Sequence, residues 1–258
     1  MILKQVLFVI LLQMYSISSI YATIDRELVE SLKCTRMFPY FERKFLIPLD
    51  TLHSIALKES GRRHSKHKIR LVWPWTVNVE GKGYFFDSKR EAVFFVKSQI
   101  LSGKENIDIG CMQINLKHHP EAFLSLEQAF DPRKNIEYGA IFLKSKYEQL
   151  GCWHKAIAHY HSATHEFGFK YKQDVIKIAS NMNEYKDSLK TYIRYGNNLN
   201  LYDYKNPIKS SNNSYNKHIA RQEKFHTNDI TKATPKLYAR YRSNMMVHVP
   251  QNTYVRSR

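Results

Sequence analysis

The stretch from Leu52 to Gly61 constrains the fold more than any other, because it predicts a helix whose apolar face ends in an acid. Leu52, Ile55 and Ala56 have the spacing of one helical face, and three positions later this face continues as Glu59. Gly61 stands where helices commonly end, so Glu59 falls in the last turn, at the edge of a cavity. Partial burial and the negative end of the helix dipole both raise the pKa of a carboxyl group, as a general acid requires.

A second interpretation of the same stretch needs no cavity. In it, Glu59 bends outward into solvent or forms an ion pair with one of the neighbouring bases Lys58, Arg62 and Arg63. The stretch alone does not decide between the two interpretations.

The charge of the chain favours partners that carry negative charge. Its 258 residues include 40 Lys and Arg against 23 Asp and Glu, a formal net charge of +17. Nucleic acid, anionic lipid and acidic cell-wall polymers all fit this charge, and so does a basic surface that binds none of them. The length allows one domain with one core, plus a tail.

The first 22 residues have the pattern of an export signal. Lys4 precedes an aliphatic run from Val6 to Leu12, and Ile20 to Ala22 forms a candidate cleavage site. Gln13 interrupts the apolar run before it reaches membrane-spanning length, although an uncleaved anchor stays open. No later stretch is apolar enough to cross a bilayer. We therefore expect a periplasmic or secreted protein without a transmembrane span after signal removal.

Three cysteines, Cys34, Cys111 and Cys152, allow one disulfide and one remaining thiol in an exported protein. Their spacing does not identify the pair. Three buried thiols that act as small apolar side chains are the alternative.

Hydrophobic periodicity predicts a mainly α (α+β) fold, a helical bundle with a small β-hairpin. The hairpin is expected from the β-prone segments 71–79 and 84–86, and a short strand at 107–109. Helices are expected over 24–45 with a break at Pro39, after an Asp50 N-cap, after a Ser88–Glu91 capping box, from Pro120, from Asp131 and Pro132 to Gly151, through Trp153, and through Val175 to Met182.

Trp73 and Trp75 follow the candidate acid closely in the chain. They predict either a surface on which sugar rings stack or a plug that fixes the hairpin to the core.

The composition changes near residue 185, which gives the expected domain organisation. Residues 1–22 are the signal peptide, 23–185 the folded domain and 186–258 a basic low-complexity tail, with 197–258 largely disordered. Such a tail either binds an anionic polymer or membrane surface, or is a solvated linker.

Four separated motifs resemble one enzyme family. They are Glu59-Ser60, then Gly110-Cys111-Met112-Gln113-Ile114-Asn115, then Phe130-Asp131-Pro132 with Asn135 and Gly139, and finally Ala158-His159-Tyr160-His161. Their order, over about residues 30 to 180, resembles lytic transglycosylases of the soluble-lytic-transglycosylase type, which share a lysozyme-like fold with goose-type lysozyme. The sequence is most similar to the branch with a Trp-Pro-Trp-Thr insertion, here Trp73 to Thr76.

The resemblance implies cleavage of the β-1,4 bond between N-acetylmuramic acid and N-acetylglucosamine in peptidoglycan, leaving a 1,6-anhydro sugar. Ordinary glycosidases need two carboxylates. Asp87, Asp108 and Asp131 each have a structural reason for their position, so the sequence offers no obvious second one. In this family the acetamido group and 6-hydroxyl of the sugar serve as nucleophiles, so Glu59 would act alone, first as acid and then as base.

The resemblance also implies the substrate-binding residues. Gln113 and the backbone of Met112 would line the site and bind the glycan, and Tyr160 would lie near Glu59 and hold the sugar or orient the acid. Ser60 would contact the substrate or cap the helix, and Asn78 joins the expected substrate-binding set. His161 stands where the family usually has Asn, which leaves the details of one subsite open.

The same branch implies a disulfide between Cys34 and Cys111, with Cys152 as the free thiol. The histidines near residue 160 lack a metal-ligand spacing, so we expect no metal and no cofactor.

The expected partners are the glycan strands of peptidoglycan, and proteins of the envelope or of a secretion machine are further candidates. A hydrolytic lysozyme and a non-catalytic glycan binder or envelope assembly factor remain alternative functions. Specific nucleic-acid binding is not expected in an exported protein.

Overall fold

The computed structural model describes residues 25–196. The expected signal peptide and the segment 197–258 lie outside the described residues. The helices are α1 (Arg26–Thr35), α2 (Phe38–Lys44), α3 (Thr51–Ser60), α4 (Lys89–Leu101), α5 (Leu126–Ala129), α6 (Pro132–Leu150), α7 (Trp153–His161), α8 (His165–Ser180) and α9 (Met182–Gly196).

The strands form two small antiparallel sheets. β1 (Gly61–Arg63) pairs with β2 (Arg70–Val72), and a second sheet has the order β4-β3-β5-β6, from β3 (Thr76–Val79), β4 (Lys82–Phe85), β5 (Ile107–Ile109) and β6 (Ile114–Asn115). A mainly helical fold with a small antiparallel sheet confirms the expected fold class, including the β3–β4 hairpin.

Several helix ends lie where the sequence predicts them. The Ser88 hydroxyl accepts a hydrogen bond from the amide of Glu91 and so caps α4. Asp131 caps α6, whose first residue is Pro132. The same helix ends at Gly151, which has a left-handed φ of 65°.

Two helix boundaries differ from the prediction. No helix begins at Pro120; α5 starts only at Leu126, because the Ser125 hydroxyl caps it by accepting from the amide of Gln128. The helix through Val175 ends at Ser180, and Met182 already belongs to α9.

The expected capping role of Asp50 is wrong. Asp50 has a left-handed φ of 68°, and its side chain makes no capping bond but an ion pair with Lys186. The buried carboxylate of Glu42 replaces it, accepting from the amides of Asp50 (3.0 Å) and Leu52 (2.9 Å). Burial raises the pKa of Glu42 to about 7, although these hydrogen bonds oppose the shift.

The core contains both tryptophans of the hairpin region. Trp73 and Trp75 are 2% and 4% exposed, and their indole N–H groups donate to Phe86 O and to Glu30 Oε2. The expectation of a sugar-stacking surface there is wrong, since buried rings that join the sheet to α1 cannot receive a ligand.

The last described helix runs across the expected domain boundary at residue 185. In α9, Leu189 is buried against Leu28, Leu32 and Leu71. Met182 is also buried, and Tyr185 and Tyr192 pack beside Leu189, so a few apolar side chains together with the Lys186–Asp50 ion pair hold this otherwise polar helix. Between residues 25 and 196, no helix is both long and apolar enough to cross a bilayer.

Candidate active site

Glu59 lies in the last turn of α3, half-buried, after an almost continuous buried stretch of that helix. Burial, with a smaller contribution from the charge of Asp108, raises its pKa to about 7. A hydrogen bond from Tyr171 and the charge of Lys58 act in the opposite direction. A carboxyl group with this pKa can hold a proton and release it near neutral pH.

Tyr171, on α8, fixes one oxygen of the acid. Its hydroxyl donates to Glu59 Oε1 at 2.5 Å, and its ring is buried. The other oxygen, Oε2, accepts no hydrogen bond from the residues that the structure describes. Glu59 is therefore oriented on one side and available on the other.

The bases near Glu59 have other partners. Lys58 forms an ion pair with Asp174 at 2.6 Å. Arg62 pairs with Glu27 at 3.1 Å and stacks over Trp73. Lys58 and Arg62, two of the three bases considered as ion-pair partners of Glu59, are therefore paired with other carboxylates.

The loop from Gly110 to Gln113 faces the end of α3, and Asn135 organises it. The Asn135 amide donates to Ile109 O (3.0 Å) and Ala129 O (3.1 Å), and its oxygen accepts from Met112 N (2.8 Å). Gly110 has a φ of 79°, and a Cβ at this position would lie 2.5 Å from the Asn135 side chain. Glycine is required here for both reasons.

Gln113 lies half-buried in this loop, at a positive φ of 46°. Its Nε2 donates to Thr76 O (3.1 Å) and Gly110 O (3.0 Å). Its Oε1 accepts no hydrogen bond from a described residue. These two hydrogen bonds fix the Gln113 side chain, and its Oε1 remains available as an acceptor for a ligand.

The structure gives Ser60 and Met112 contacts other than the expected substrate contacts. Ser60 is 1% exposed, and its hydroxyl lies 2.7 Å from Cys111 O and 3.1 Å from Ala56 O. The Met112 side chain is fully buried, its amide donates to Asn135, and its carbonyl accepts from Tyr160. Both residues join the loop to its surroundings, because their polar groups are already bound to protein.

Tyr160 lies near Glu59 but does not bond to it. Its hydroxyl donates to Met112 O at 3.0 Å, and burial, followed by the charge of Glu59, raises its pKa well above the usual value. His161 is exposed and stacks on Tyr171, with ring centroids 4.7 Å apart and planes 7° apart. Burial of its ring atoms and the charge of Lys58 lower the pKa of His161. The residue that orients the acid is thus Tyr171, which His161 supports.

Cys34 and Cys111 form a disulfide, the pair that the resemblance implied, and Cys152 is free. The bond joins α1 to the loop that carries Gln113, across 77 positions of sequence. Closing a loop of this length lowers the entropy of the unfolded chain, which stabilises the folded state by on the order of 4 kcal/mol.

Asn78 and Asp108 lie opposite each other on β3 and β5, and Asp108 also lies opposite Asn115 on β6. Asn78 Oδ1 accepts from the amide of Gly81 and closes the hairpin turn, and its N–H₂ group donates no hydrogen bond to a described residue. Asp108 is half-buried, and its charge acts on Glu59, Tyr160 and His161. The sheet therefore borders the same site as α3.

Between residues 25 and 196, one group of side chains has potential metal-ligand atoms close enough together to share an ion. It consists of Asp25, His64 and His67. His64 uses both ring nitrogens within the protein, because Nε2 bonds to Asp25 and Nδ1 accepts from the amides of Lys66 and His67. Asp25 also caps α1. These bonds give the group a structural role, and none of the three residues belongs to the histidine cluster near residue 160.

Sequence reasoning missed Tyr171, the ordering role of Asn135 and the proximity of Asp108 to the acid. Tyr171 lies four residues before Val175 on the buried face of α8, so the periodicity could have shown its direction. Nothing in the sequence indicates that its hydroxyl meets a carboxylate 112 positions earlier.

A mainly helical fold with a small antiparallel sheet, and a half-buried glutamic acid between them at the end of a helix, is the arrangement expected of the lysozyme-like class. The model of the transglycosylase SLT domain family matches residues 37–183. This match spans more than half of the chain, which therefore belongs to the transglycosylase SLT domain family.

Enzymes of this family are lytic transglycosylases that act on cell-wall peptidoglycan, and their substrate lies outside the cytoplasm. No match was found among curated proteins or among solved structures.

Proposed function

We propose that this protein cleaves the β-1,4 bond between N-acetylmuramic acid and N-acetylglucosamine and leaves a 1,6-anhydromuramic acid end, with Glu59 as its acid and base. One observation carries the proposal: Glu59 has a pKa of about 7, one oxygen held by Tyr171 and one oxygen free of protein hydrogen bonds. A residue that first donates a proton and then accepts one needs a near-neutral pKa, and it needs an oxygen that the substrate can reach.

In the first step, Glu59 donates its proton to the oxygen that leaves with N-acetylglucosamine as the C1–O4 bond breaks. The acetamido carbonyl oxygen of the muramic acid residue forms a bond to C1. In the second step, the 6-hydroxyl attacks C1, Glu59 takes its proton, and the C1–acetamido bond breaks. No water enters, and Glu59 ends protonated as it began.

The proposed glycan contacts come from three elements around the acid. Gln113 offers a free Oε1 acceptor, and Asn78 offers its N–H₂ group. Tyr160 and the exposed His161 border the site from α7. Ser60 and Met112 support this site indirectly, through the loop that holds Gln113.

We further propose export to the periplasm or secretion, directed by residues 1–22 and followed by a catalytic domain from residue 23. The boundary with the basic C-terminal segment lies after α9. The excess of Lys and Arg over Asp and Glu in this segment, within a whole chain of net charge +17, favours an anionic wall polymer as its partner. Envelope or secretion-machinery proteins are further candidate partners, and specific nucleic-acid recognition is not part of the proposal.

The decisive variant is Glu59→Gln, which keeps the shape and removes the proton donor. We expect the release of soluble fragments from purified sacculi to fall by roughly 10³-fold. The matched control is Glu148→Gln on α6, an exposed acid whose loss leaves the rate within twofold. A Glu59→Gln variant that degrades sacculi at the parental rate contradicts the assignment.

Mass spectrometry of the products tests the reaction type. The anhydro product of a transglycosylase is lighter by one water than the product of a hydrolytic lysozyme of the same fold. The nearby carboxylate of Asp108 is the observation that favours the hydrolytic alternative, since hydrolases use two acids. Products that carry the added water would establish that alternative. A protein that binds sacculi without releasing fragments would be a glycan-binding assembly factor.

A further inference from the structure

The second sheet has one apolar face and one polar face. Val77, Ile109 and Ile114 are paired across its strands and are all buried in the core. The residues next to them form the other row, Asn78, Asp108 and Asn115, which are also paired across β3, β5 and β6. Because side chains alternate between faces along a strand, this row points away from the core.

Asp108, the middle residue of this polar row, is held on one side only. Asn115 donates to its Oδ1 at 2.7 Å, and Asn115 is itself close to Asn106 Oδ1 at 2.6 Å. The second oxygen, Oδ2, accepts no hydrogen bond from a residue between 25 and 196. Asp108 thus resembles Glu59 in its geometry, with one oxygen fixed and one available.

The charge of Asp108 acts on Glu59. Burial raises the pKa of Asp108, while the Asn115 hydrogen bond and the charges of His118 and His161 oppose this shift. Burial and the charge of Asp108 raise the pKa of Glu59 to about 7. A negative charge on Asp108 therefore favours the protonated form of Glu59, because two nearby acids do not ionise together easily.

We propose that Asp108 is a second catalytic residue, whose free oxygen accepts a hydrogen bond from the N–H of the substrate's acetamido group. This inference rests on the proposed function of Glu59. When the acetamido oxygen bonds to C1, positive charge spreads to that nitrogen, and its hydrogen bond to a carboxylate strengthens. Asp108 stabilises the intermediate more than the substrate, which is the condition for catalysis.

Asp108 forms and breaks no covalent bond in this reaction. Glu59 still protonates the leaving oxygen and later takes the proton of the 6-hydroxyl. Asp108 keeps its charge throughout, and the acetamido N–H keeps its proton. The sheet therefore supplies the countercharge, and α3 supplies the proton.

Asp108→Asn tests the charge while leaving an oxygen that can accept from Asn115. We expect kcat on sacculi fragments to fall about 100-fold, with KM changed less than threefold. The matched control is Asp187→Asn, which removes an exposed carboxylate on α9 and leaves kcat within twofold.

A binding measurement separates stabilisation of the intermediate from a structural role. The probe is the bicyclic thiazoline analogue of N-acetylmuramic acid, which imitates the cyclised acetamido intermediate. Asp108→Asn should weaken its binding by about 10- to 100-fold, the value of a hydrogen bond to a charged group. Binding of an uncyclised chitooligosaccharide, measured in the Glu59→Gln background, should change less than threefold.

If Asp108→Asn lowers the melting temperature, the activity of an Asp108→Ala variant is measured instead, with and without added formate. Formate in the vacated space should raise the rate several-fold if the carboxylate acts on the substrate, and should have no effect if Asp108 only holds the sheet. Unchanged kcat and unchanged thiazoline affinity in Asp108→Asn would overturn the proposal.

The two proposals fail separately. An inactive wild type, or an active Glu59→Gln, refutes the proposed function, and the thiazoline measurement still reports on Asp108 without turnover. If Asp108→Asn has the kcat and the thiazoline affinity of the wild type while Glu59→Gln is inactive, only the role of Asp108 is refuted.

Discussion

Glu42 and Glu59 lie at opposite ends of the same helix, α3, and burial raises the pKa of each to about 7. They differ in what their oxygens contact. Both oxygens of Glu42 accept backbone amides at the helix start, whereas Glu59 has one oxygen bound to Tyr171 and one free. A raised pKa by itself therefore does not distinguish the two acids; the proposed catalytic role of Glu59 rests on its free oxygen and on the nearby carboxylate of Asp108.

The largest expected effect concerns stability above neutral pH. A carboxyl group whose pKa is higher in the folded state stabilises the fold fully below about pH 4.5, and this contribution is lost as the pH rises through about 7. At pH 8, the charge on Glu59 costs at most about 3 kcal/mol. Glu59→Gln removes that cost.

We therefore expect Glu59→Gln to be more stable than the wild type at pH 8 and nearly equal to it at pH 4.5. Urea unfolding at the two pH values measures the difference. Equal stability of variant and wild type at pH 8 would show that burial of Glu59 carries no cost, and the contrast with Glu42 would lose its basis.

Glu42→Gln should stabilise the protein less at pH 8 than Glu59→Gln does, although burial raises the pKa of both acids to about 7. One of the two amides at the start of α3 would face an N–H₂ group in place of an oxygen, so the cap is lost. Because the lost cap offsets the relief of the buried charge, we expect the free energy of unfolding at pH 8 to be about 1–3 kcal/mol lower in Glu42→Gln than in Glu59→Gln, with the activity of the folded fraction within threefold of wild type. A loss of activity without a loss of stability would mean that Glu42 also has a functional role.

Tyr171→Phe is expected to have the smallest effect of the three. The ring and its stacking on His161 remain, but the hydrogen bond that orients Glu59 and lowers its pKa is removed. We expect kcat to fall about tenfold, and the alkaline limb of the pH–rate profile to move to higher pH.

Tyr147→Phe serves as the control for that variant. Tyr147 lies on another helix, α6, where its ring stacks on Trp153. A pH profile that stays in place in Tyr171→Phe would indicate that the tyrosine hydroxyl does not set the protonation of Glu59.

The sequence was a better guide to local structure than to contacts between distant elements. The apolar spacing that ends in Glu59 gave the position of the acid on its helix, and capping residues such as Ser88 and Asp131 gave the helix starts. These are short-range effects, since side chains there bond to amides a few residues away. Trp73 and Trp75 show the limit, because the same β-prone pattern fits a sugar-binding surface and a core.

By itself, the sequence determined the helical class of the protein, its family motifs and the acid at the end of α3, because each depends on residues close together in the chain. Only the tertiary structure decided which groups surround that acid. Tyr171 and Asp108 reach Glu59 through the packing of α8 and the register of β5, and a pKa responds to neighbours in space, whatever their distance in sequence.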